Sequence, residues 1–512
     1  MGGPAVPGAR RAFPPGLGQF SRPVAGGRYV DLCVNLAPTI ALCALSIAAS
    51  ACANEPRESS HAELPGSEDA GTAPVPVEAS QRLDYRDSES FGQGPKVPEG
   101  PFSPELAKAV DDVFGQGLRD GEWGEEQARA WILIGESGDP RLAWVAADLL
   151  RFTQDPSMHR LLSLLCGELL DLPDGAPLAW DNITDHLIAW DVPAPPGYLD
   201  LKRGIFTGIV PEWEELFREG DIDWRHVTWG GVRIDDRAFG QTDERCNCIP
   251  AADNPKVTGV EGGDWLADDD VVFGIEVGGE YRAYPRQIME VREMVNDTLG
   301  GRDLGIPYCT LCGSAQAYFT DRMPEGVARP VLRTSGMLIR SNKVMYDLVT
   351  HSIFDTFLGK AVTGPLAERG IELSQASVVT TTWGEWKTAH PSTTVLAEYL
   401  ALGRNFDFRA GRDANGPIFP IGDLDPRLPV QEDVLGLVTA SGKPVAFHVE
   451  SALEALHRGA AVAYENIVLV LDGGGVRATD AEGRDLGGHQ AFWFAWSQFQ
   501  PGTALWVRGS VE

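Results

Sequence analysis

The strongest fold signal in this sequence is the stretch Asp270-Val271-Val272-Phe273-Gly274-Ile275-Glu276-Val277, which is followed by Gly278-Gly279. Its apolar side chains alternate with a period of two, as in a half-buried β-strand. The Gly-Gly pair predicts a tight turn, and Tyr281–Tyr284 predicts the returning strand. Pro285 suits the first turn of a helix, which we expect to end at about Val295. The stretch therefore predicts a β-hairpin followed by a helix.

A second hairpin-plus-helix pattern occurs later in the chain. Asp433–Thr439 predicts a strand in which Gly436 takes the position of Gly274, and Pro444–Phe447 predicts its partner strand before another helix. We interpret the two patterns as an internal duplication. The predicted fold class is α+β, a mainly β scaffold built on this duplicated unit and filling residues 191–512.

Residues 104–190 have the periodicity of helices instead. Asp139-Pro140 and Asp155-Pro156 are both typical helix starts, because an Asp can cap the helix and a Pro fits its first turn. Two helices opened by similar turns predict a small all-α domain of the HEAT type, which docks or packs without chemistry of its own. Cys166 lies on an apolar stripe and is interpreted as a buried core thiol.

Between the two hairpin patterns lies Cys309-Thr310-Leu311-Cys312-Gly313. Two thiols at this spacing can chelate a metal ion, form a disulfide, or exchange disulfides with a partner. In the second copy of the predicted duplication, the position equivalent to the dithiol is occupied by a glycine-rich segment, Val470–Gly475. Because a purely structural requirement would more often appear in both copies, this asymmetry favours a functional role for Cys309 and Cys312.

Three interpretations of Cys309 and Cys312 stay open. A site for zinc or another transition-metal ion needs further ligands, and Cys246 and Cys248 could complete a tetrahedral set. A redox dithiol needs a lowered thiol pKa, commonly from a helix N-terminus, whereas a strand is predicted after this pair. A structural disulfide would be explained by an oxidising compartment alone.

The polar residues that we expect nearest the thiols are Asp297, Asp347 and His351. Asp297 could instead cap a turn, Asp347 could close a hairpin, and a lone histidine is more often a surface residue than a ligand. The sequence contains no phosphate-binding loop, H-E-x-x-H motif or dinucleotide fingerprint. Two functional classes therefore remain: a protein that binds a metal or a small ligand, and a thiol-disulfide oxidoreductase.

The chain has 512 residues and a net charge of −30, from 43 Lys and Arg against 73 Asp and Glu. This length suffices for two or three domains with separate cores. The negative charge repels the phosphate backbone of nucleic acids, so we exclude nucleic acid as a partner. An unknown small ligand or protein partner stays open.

The N-terminal region predicts export and anchoring. Residues 37–51 form an uncharged apolar run that fits a signal peptide and is shorter than the roughly 20 residues of a membrane-spanning helix. The run ends in small residues before Cys52, and this pattern resembles a bacterial lipobox. We therefore predict that residues 1–52 are a signal peptide and that Cys52 is the lipidation site. Cleavage near Ala51 without lipidation is the alternative. Residues 53–103 contain few large apolar side chains and predict a disordered tether.

This region therefore predicts a membrane-anchored, extracytoplasmic lipoprotein of the outer membrane, periplasm or cell surface. The partner predicted for this region is a membrane, to which the lipid anchor at Cys52 would attach the protein.

A series of short motifs extends from about residue 235 to residue 505. The motifs, in chain order, are Asp253-Asn254-Pro255, Ala283-Tyr284-Pro285, Val295-Asn296-Asp297, Tyr308-Cys309 with Cys312-Gly313-Ser314, Ser335-Gly336, Met345-Tyr346-Asp347 and Phe492-Trp493-Phe494-Ala495-Trp496. Together they resemble the bacterial family called domain of unknown function 3179. The resemblance implies an exported or lipid-anchored protein, supplies no activity, and adds Asn296 and Ser335 to the site candidates. Arg292-Glu293 stands where a His-Glu pair is usual.

Overall fold

The structure is a computed structural model that describes most of the chain after residue 90. The described residues are 91–115, 123–172, 179–241, 246–397, 417–507 and 510–511. The predicted signal peptide, the lipidation site Cys52 and residues 53–90 of the predicted tether lie outside them. Among the helices described, none is both long and apolar enough to cross a membrane.

The first part of the described chain is helical. Its α-helices are α1 (Pro104–Val110), α2 (Glu125–Glu136), α3 (Ala143–Phe152), α4 (Pro156–Leu169), α5 (Trp180–Ala189) and α6 (Tyr198–Ile209). Shorter helical turns are the π-helical Asp111–Gly115 and the 3-10 segments Pro140–Leu142, Pro211–Leu216, Trp224–His226 and Val260–Gly263. Helix α4 begins where the sequence predicts, because the Asp155 carboxylate accepts hydrogen bonds from the Ser157 and Met158 amides, both at 2.9 Å.

The strands of the described residues form five small sheets. The first contains β1 (Val227–Trp229), β10 (Leu332–Ile339), β11 (Asn342–Asp347), β12 (Ile353–Asp355) and β13 (Lys360–Ala361) in that spatial order. The second contains β14 (Gln375–Ala376), β9 (Ala317–Phe319), β7 (Arg302–Cys309), β6 (Met294–Leu299) and β2 (Ala252–Asp253), with β8 (Ser314–Ala315) paired to β7.

The remaining strands form three further sheets. The third contains β15 (Val378–Thr382), β4 (Val271–Val277), β5 (Glu280–Pro285), β16 (Thr394–Leu396) and β3 (Val257–Thr258). The fourth contains β22 (His489–Phe492), β17 (Asp433–Val438), β18 (Pro444–His448), β23 (Ala504–Val507) and β24 (Ser510–Val511), and the fifth β19 (Val462–Tyr464), β20 (Ile467–Asp472) and β21 (Gly475–Thr479). The helices among them are α7 (Arg286–Arg292), α8 (Gly364–Glu368), α9 (Trp383–Ala389), α10 (Val449–His457) and α11 (Trp493–Phe499).

The predicted fold class is wrong. The strands do not form an α+β scaffold on a duplicated hairpin-plus-helix unit; they form five small, mostly antiparallel sheets in a ring, a β-propeller-like arrangement with some helices. The predicted hairpin β4–β5 is present, but β4 also pairs with β15 and β5 pairs in parallel with β16. Alternation along a strand reports which face is buried, and it does not report which distant strand lies beside it.

The third and fourth sheets have the same pairing around their central hairpins. In both, one hairpin strand has an antiparallel neighbour and the other has a parallel one. A buried tryptophan covers a glycine in each: a Cβ on Gly274 would lie 2.4 Å from the Trp386 ring, and one on Gly436 would lie 2.1 Å from the Trp496 ring. These glycines are required because the indole occupies the side-chain position.

The helical part shares a hydrophobic core with the first sheet. Phe206 and Trp213 lie in one buried cluster with Met337, Val344 and Tyr346. The indole Nε1 of Trp213 donates to the Ser335 carbonyl at 2.7 Å. The β10–β11 hairpin is therefore supported on one face by the helices, while the predicted boundary at residue 190 stays a prediction.

Candidate dithiol site

The dithiol lies in the turn between β7 and β8. Cys309 pairs with Ser314 across the hairpin, and the Cys312 amide donates to the Cys309 carbonyl at 3.2 Å. Gly313 has a φ of +59°, and a Cβ there would lie 2.8 Å from the Phe492 ring. Only glycine suits this backbone and this close approach, so the C-x-x-C-G sequence dictates the turn.

Both thiols are free and converge on one carbonyl oxygen. Cys309 is 2% exposed and Cys312 is fully buried. Their sulfurs lie 3.7 and 3.5 Å from the main-chain oxygen of Ser341, respectively. Ser341 belongs to the turn between β10 and β11, so the site is assembled from the turns of two hairpins.

A buried ion pair lies beside the thiols. The Lys343 ammonium donates to the Glu293 carbonyl and, at 3.3 Å, to the Tyr308 carbonyl, and it lies 3.6 Å from the Glu293 carboxylate. The Thr310 hydroxyl donates to the same carboxylate at 3.2 Å. Glu293 has a left-handed backbone, which ends α7 before the predicted Val295. The Lys343 ammonium of this pair acts on the Cys309 thiol through its charge.

The surroundings separate the pKa values of the two thiols. Burial would raise the pKa of Cys309, but the hydrogen bond from Cys312 and the Lys343 ammonium outweigh it and lower that pKa. Burial and the neighbouring Cys309 raise the pKa of Cys312. Burial also lowers the pKa of Lys343. Cys309 is therefore the thiol that more readily carries the negative charge.

The four cysteines do not come together as a metal site. Cys246 and Cys248 form a disulfide with each other, with their Cα atoms 5.1 Å apart. The carboxylate of Asp235 lies within 4.8 Å of these sulfurs, which gives a possible ligand group. In the part of the chain that the structure describes, the groups of at least three His, Cys, Asp or Glu ligands do not include Cys309 or Cys312. The predicted completion by Cys246 and Cys248 is thus not seen.

Asn296 and Asp297 belong to buried polar networks rather than to the dithiol. Asn296 donates to Asp253 at 2.9 Å, and Asp253 also accepts two hydrogen bonds from Arg333, at 2.8 and 2.6 Å. Asp297 accepts from Arg282 at 2.5 Å and from the Tyr284 hydroxyl at 2.8 Å. Both motif residues therefore hold strands together.

The remaining candidates also have structural partners. Ser335 donates to the Val344 carbonyl at 2.6 Å. Asp347 accepts from the amides of Val331 at 2.8 Å and Thr350 at 2.9 Å, which closes the turn after β11. His351 has a φ of +55° and stacks on Tyr346 with ring centroids 6.1 Å apart. Among the described hydrogen bonds, those of these three residues go to groups other than the thiols.

The residues that face the dithiol are ones that sequence reasoning missed. They are Glu293, Ser341, Asn342 and Lys343. A signal was available, because Ser341-Asn342-Lys343 places three polar residues between two apolar strands. Nothing in local periodicity, however, relates this turn to a cysteine turn some 30 residues earlier.

A comparison with known protein families finds a match in the middle of the chain. Residues 246–487 match the family model described as protein of unknown function (DUF3179). Comparisons with curated proteins and with solved structures find no match. The matched span contains the Cys246–Cys248 disulfide, the dithiol and the Lys343–Glu293 pair. Over residues 246–487, this chain is therefore similar to the DUF3179 family of proteins of unknown function, the family that its motifs resemble.

Proposed function

We propose that Cys309 and Cys312 bind a thiophilic transition-metal ion. The observation that carries this proposal is the convergence of two free sulfurs on one carbonyl oxygen, at 3.7 and 3.5 Å. Cysteine thiolates are the preferred protein ligands of ions such as Zn²⁺ and Cu⁺. The Lys343 ammonium would favour the thiolate form of Cys309, which is the form that binds metal.

Metal titration of reduced protein tests the proposal. We expect the wild-type chain to bind one Zn²⁺ or Cu⁺ ion per molecule, and Cys309→Ser or Cys312→Ser to lower the affinity by at least about tenfold, because a ligand is lost. Equilibrium competition with a chromophoric chelator under anaerobic conditions measures this.

The matched control is Cys166→Ser, which removes another fully buried free thiol, in α4. Its affinity should equal that of the wild type. Metal binding that survives in both the Cys309→Ser and Cys312→Ser variants would contradict the proposal.

A second candidate function is thiol-disulfide exchange, favoured by the two free thiols at the ends of one turn and by the lowered pKa of Cys309. A thiolate at Cys309 would attack one sulfur of a low-molecular-weight disulfide and release one thiol. Cys312 would then displace the second thiol, leaving a Cys309–Cys312 disulfide. Incubation with oxidised glutathione, followed by counting of free thiols, distinguishes this reaction from metal binding alone.

We also propose that the protein is an exported lipoprotein anchored through Cys52. The apolar run 37–51 and the small residues before Cys52 support this. Intact-mass analysis of the membrane fraction should find a mature chain that begins with an acylated Cys52, and Cys52→Ser should release the protein from the membrane. An unmodified soluble chain would contradict the anchor.

A further inference from the structure

The turn that faces the dithiol has an unfavourable backbone. Ile339 pairs with Asn342, so Arg340 and Ser341 alone form the two-residue turn between β10 and β11. Their φ angles are +45° and +71°. A two-residue hairpin turn with two positive φ angles is normally made from Asn and Gly, because other side chains are strained there. Strain of this kind is found mainly at functional sites.

The same turn carries buried polar atoms that lack hydrogen bonds. Asn342 is fully buried and Ser341 is 1% exposed. Among the described residues, both side-chain polar atoms of Asn342 and the hydroxyl of Ser341 have no hydrogen-bond partner. A buried carboxamide without partners is costly, and each such group calls for an explanation, for instance a ligand or an ion.

The same turn adjoins the dithiol. The Ser341 main-chain oxygen lies 3.7 and 3.5 Å from the two sulfurs, and the Asn342 carboxamide lies beside the Cys312 thiol. On its other side the turn is fixed by the helical part: the Arg340 amide donates to the His226 carbonyl and its Nε to His226 Nδ1, both at 3.2 Å. The fold therefore holds one main-chain oxygen and one carboxamide group beside the two sulfurs, despite the strain.

We infer that the Ser341 main-chain oxygen and the Asn342 side-chain oxygen complete the metal site, so that Cys309 and Cys312 belong to a four-ligand S₂O₂ set for a divalent ion of the zinc class. This inference rests on the proposed metal binding. Zinc prefers four tetrahedral ligands and accepts oxygen, whereas Cu⁺ is selected mainly by sulfur. Two thiols would lose two protons on binding, and the resulting dithiolate would neutralise the divalent ion.

The test compares Zn²⁺, Co²⁺ and Cu⁺ binding in variants of the full chain at Asn342. Asn342→Leu keeps the approximate shape of the side chain and removes its oxygen. We expect this variant to bind Zn²⁺ and Co²⁺ about tenfold more weakly or worse, and its Cu⁺ affinity to change by less than about threefold. Asn342→Asp keeps an oxygen ligand and should retain Zn²⁺ binding. Cys166→Ser changes a fully buried side chain that is not part of the proposed ligand set, so it is the control and should bind as the wild type does.

The possible outcomes separate the two proposals. Wild-type Zn²⁺ affinity in Asn342→Leu, or a wild-type chain that binds Cu⁺ but not Zn²⁺, would overturn the S₂O₂ set and leave the dithiol proposal standing. Unchanged binding in Cys309→Ser and Cys312→Ser would overturn both. If Asn342→Leu fails to fold, as judged by circular dichroism, Asn342→Ser gives the same comparison with a smaller side chain that is too short to reach the ion in place of Asn342.

Discussion

Replacing Arg333 by methionine should destabilise the protein by about 3–5 kcal/mol. Arg333 is fully buried and donates to both carboxylate oxygens of Asp253, whose side chain is also fully buried. Methionine would fill similar space but leave the Asp253 carboxylate without its cation. The cost is large because an uncompensated charge would then lie inside the protein.

The measurement is the free energy of unfolding from urea denaturation, with Arg129→Met as control. The Arg129–Glu125 pair is 75% and 89% exposed on its two sides, so its loss should change stability by less than about 0.5 kcal/mol. A second variant, Arg333→Met with Asp253→Asn, removes both charges and should recover part of the loss. Equal stabilities of Arg333→Met and wild type would show that this network does not hold the sheets together.

Replacing Trp496 by alanine should cost about 3–5 kcal/mol. The Trp496 ring is 2% exposed, and its Nε1 donates to the Thr503 hydroxyl at 2.9 Å. The ring also occupies the space over Gly436, where no side chain is present to fill the resulting cavity. Alanine would therefore leave both a cavity and a buried hydroxyl that has lost a partner.

A double-mutant cycle with Gly436 tests this packing. Gly436→Ala alone should destabilise by about 1–3 kcal/mol, because its methyl group would collide with the indole. In the Trp496→Ala background the same methyl group would enter the cavity, so its cost should largely disappear. Trp265→Ala is the control, since Trp265 is 43% exposed. Additive effects of the two buried changes would contradict the contact.

The helical part contributes to the candidate site although it precedes the span that matches the family. His226 holds the Arg340 turn from outside residues 246–487, and Trp213 donates to the carbonyl of Ser335 in β10. The position of the Ser341 carbonyl thus depends on contacts with a part of the chain for which no chemistry was predicted.

The sequence by itself determined the local elements. The alternation in Val271–Val277, with Gly278-Gly279, was sufficient for the β4–β5 hairpin, and Asp155-Pro156 was sufficient for the start of α4. The Cys309–Gly313 segment likewise specified its own tight turn. These features depend on backbone preferences and on the spacing of apolar side chains over a few residues, and both can be read from the local sequence.

Tertiary structure decided the rest. The five-sheet ring arises from pairings such as β4 with β15 and β17 with β22, which join segments far apart in the chain. Long-range contact also placed Ser341 and Lys343 at the dithiol, and it left Cys246 and Cys248 bonded to each other elsewhere. A period-two pattern determines which face of a strand is buried. Which strand lies beside it depends on the packing of all the sheets together, and no local pattern encodes that pairing.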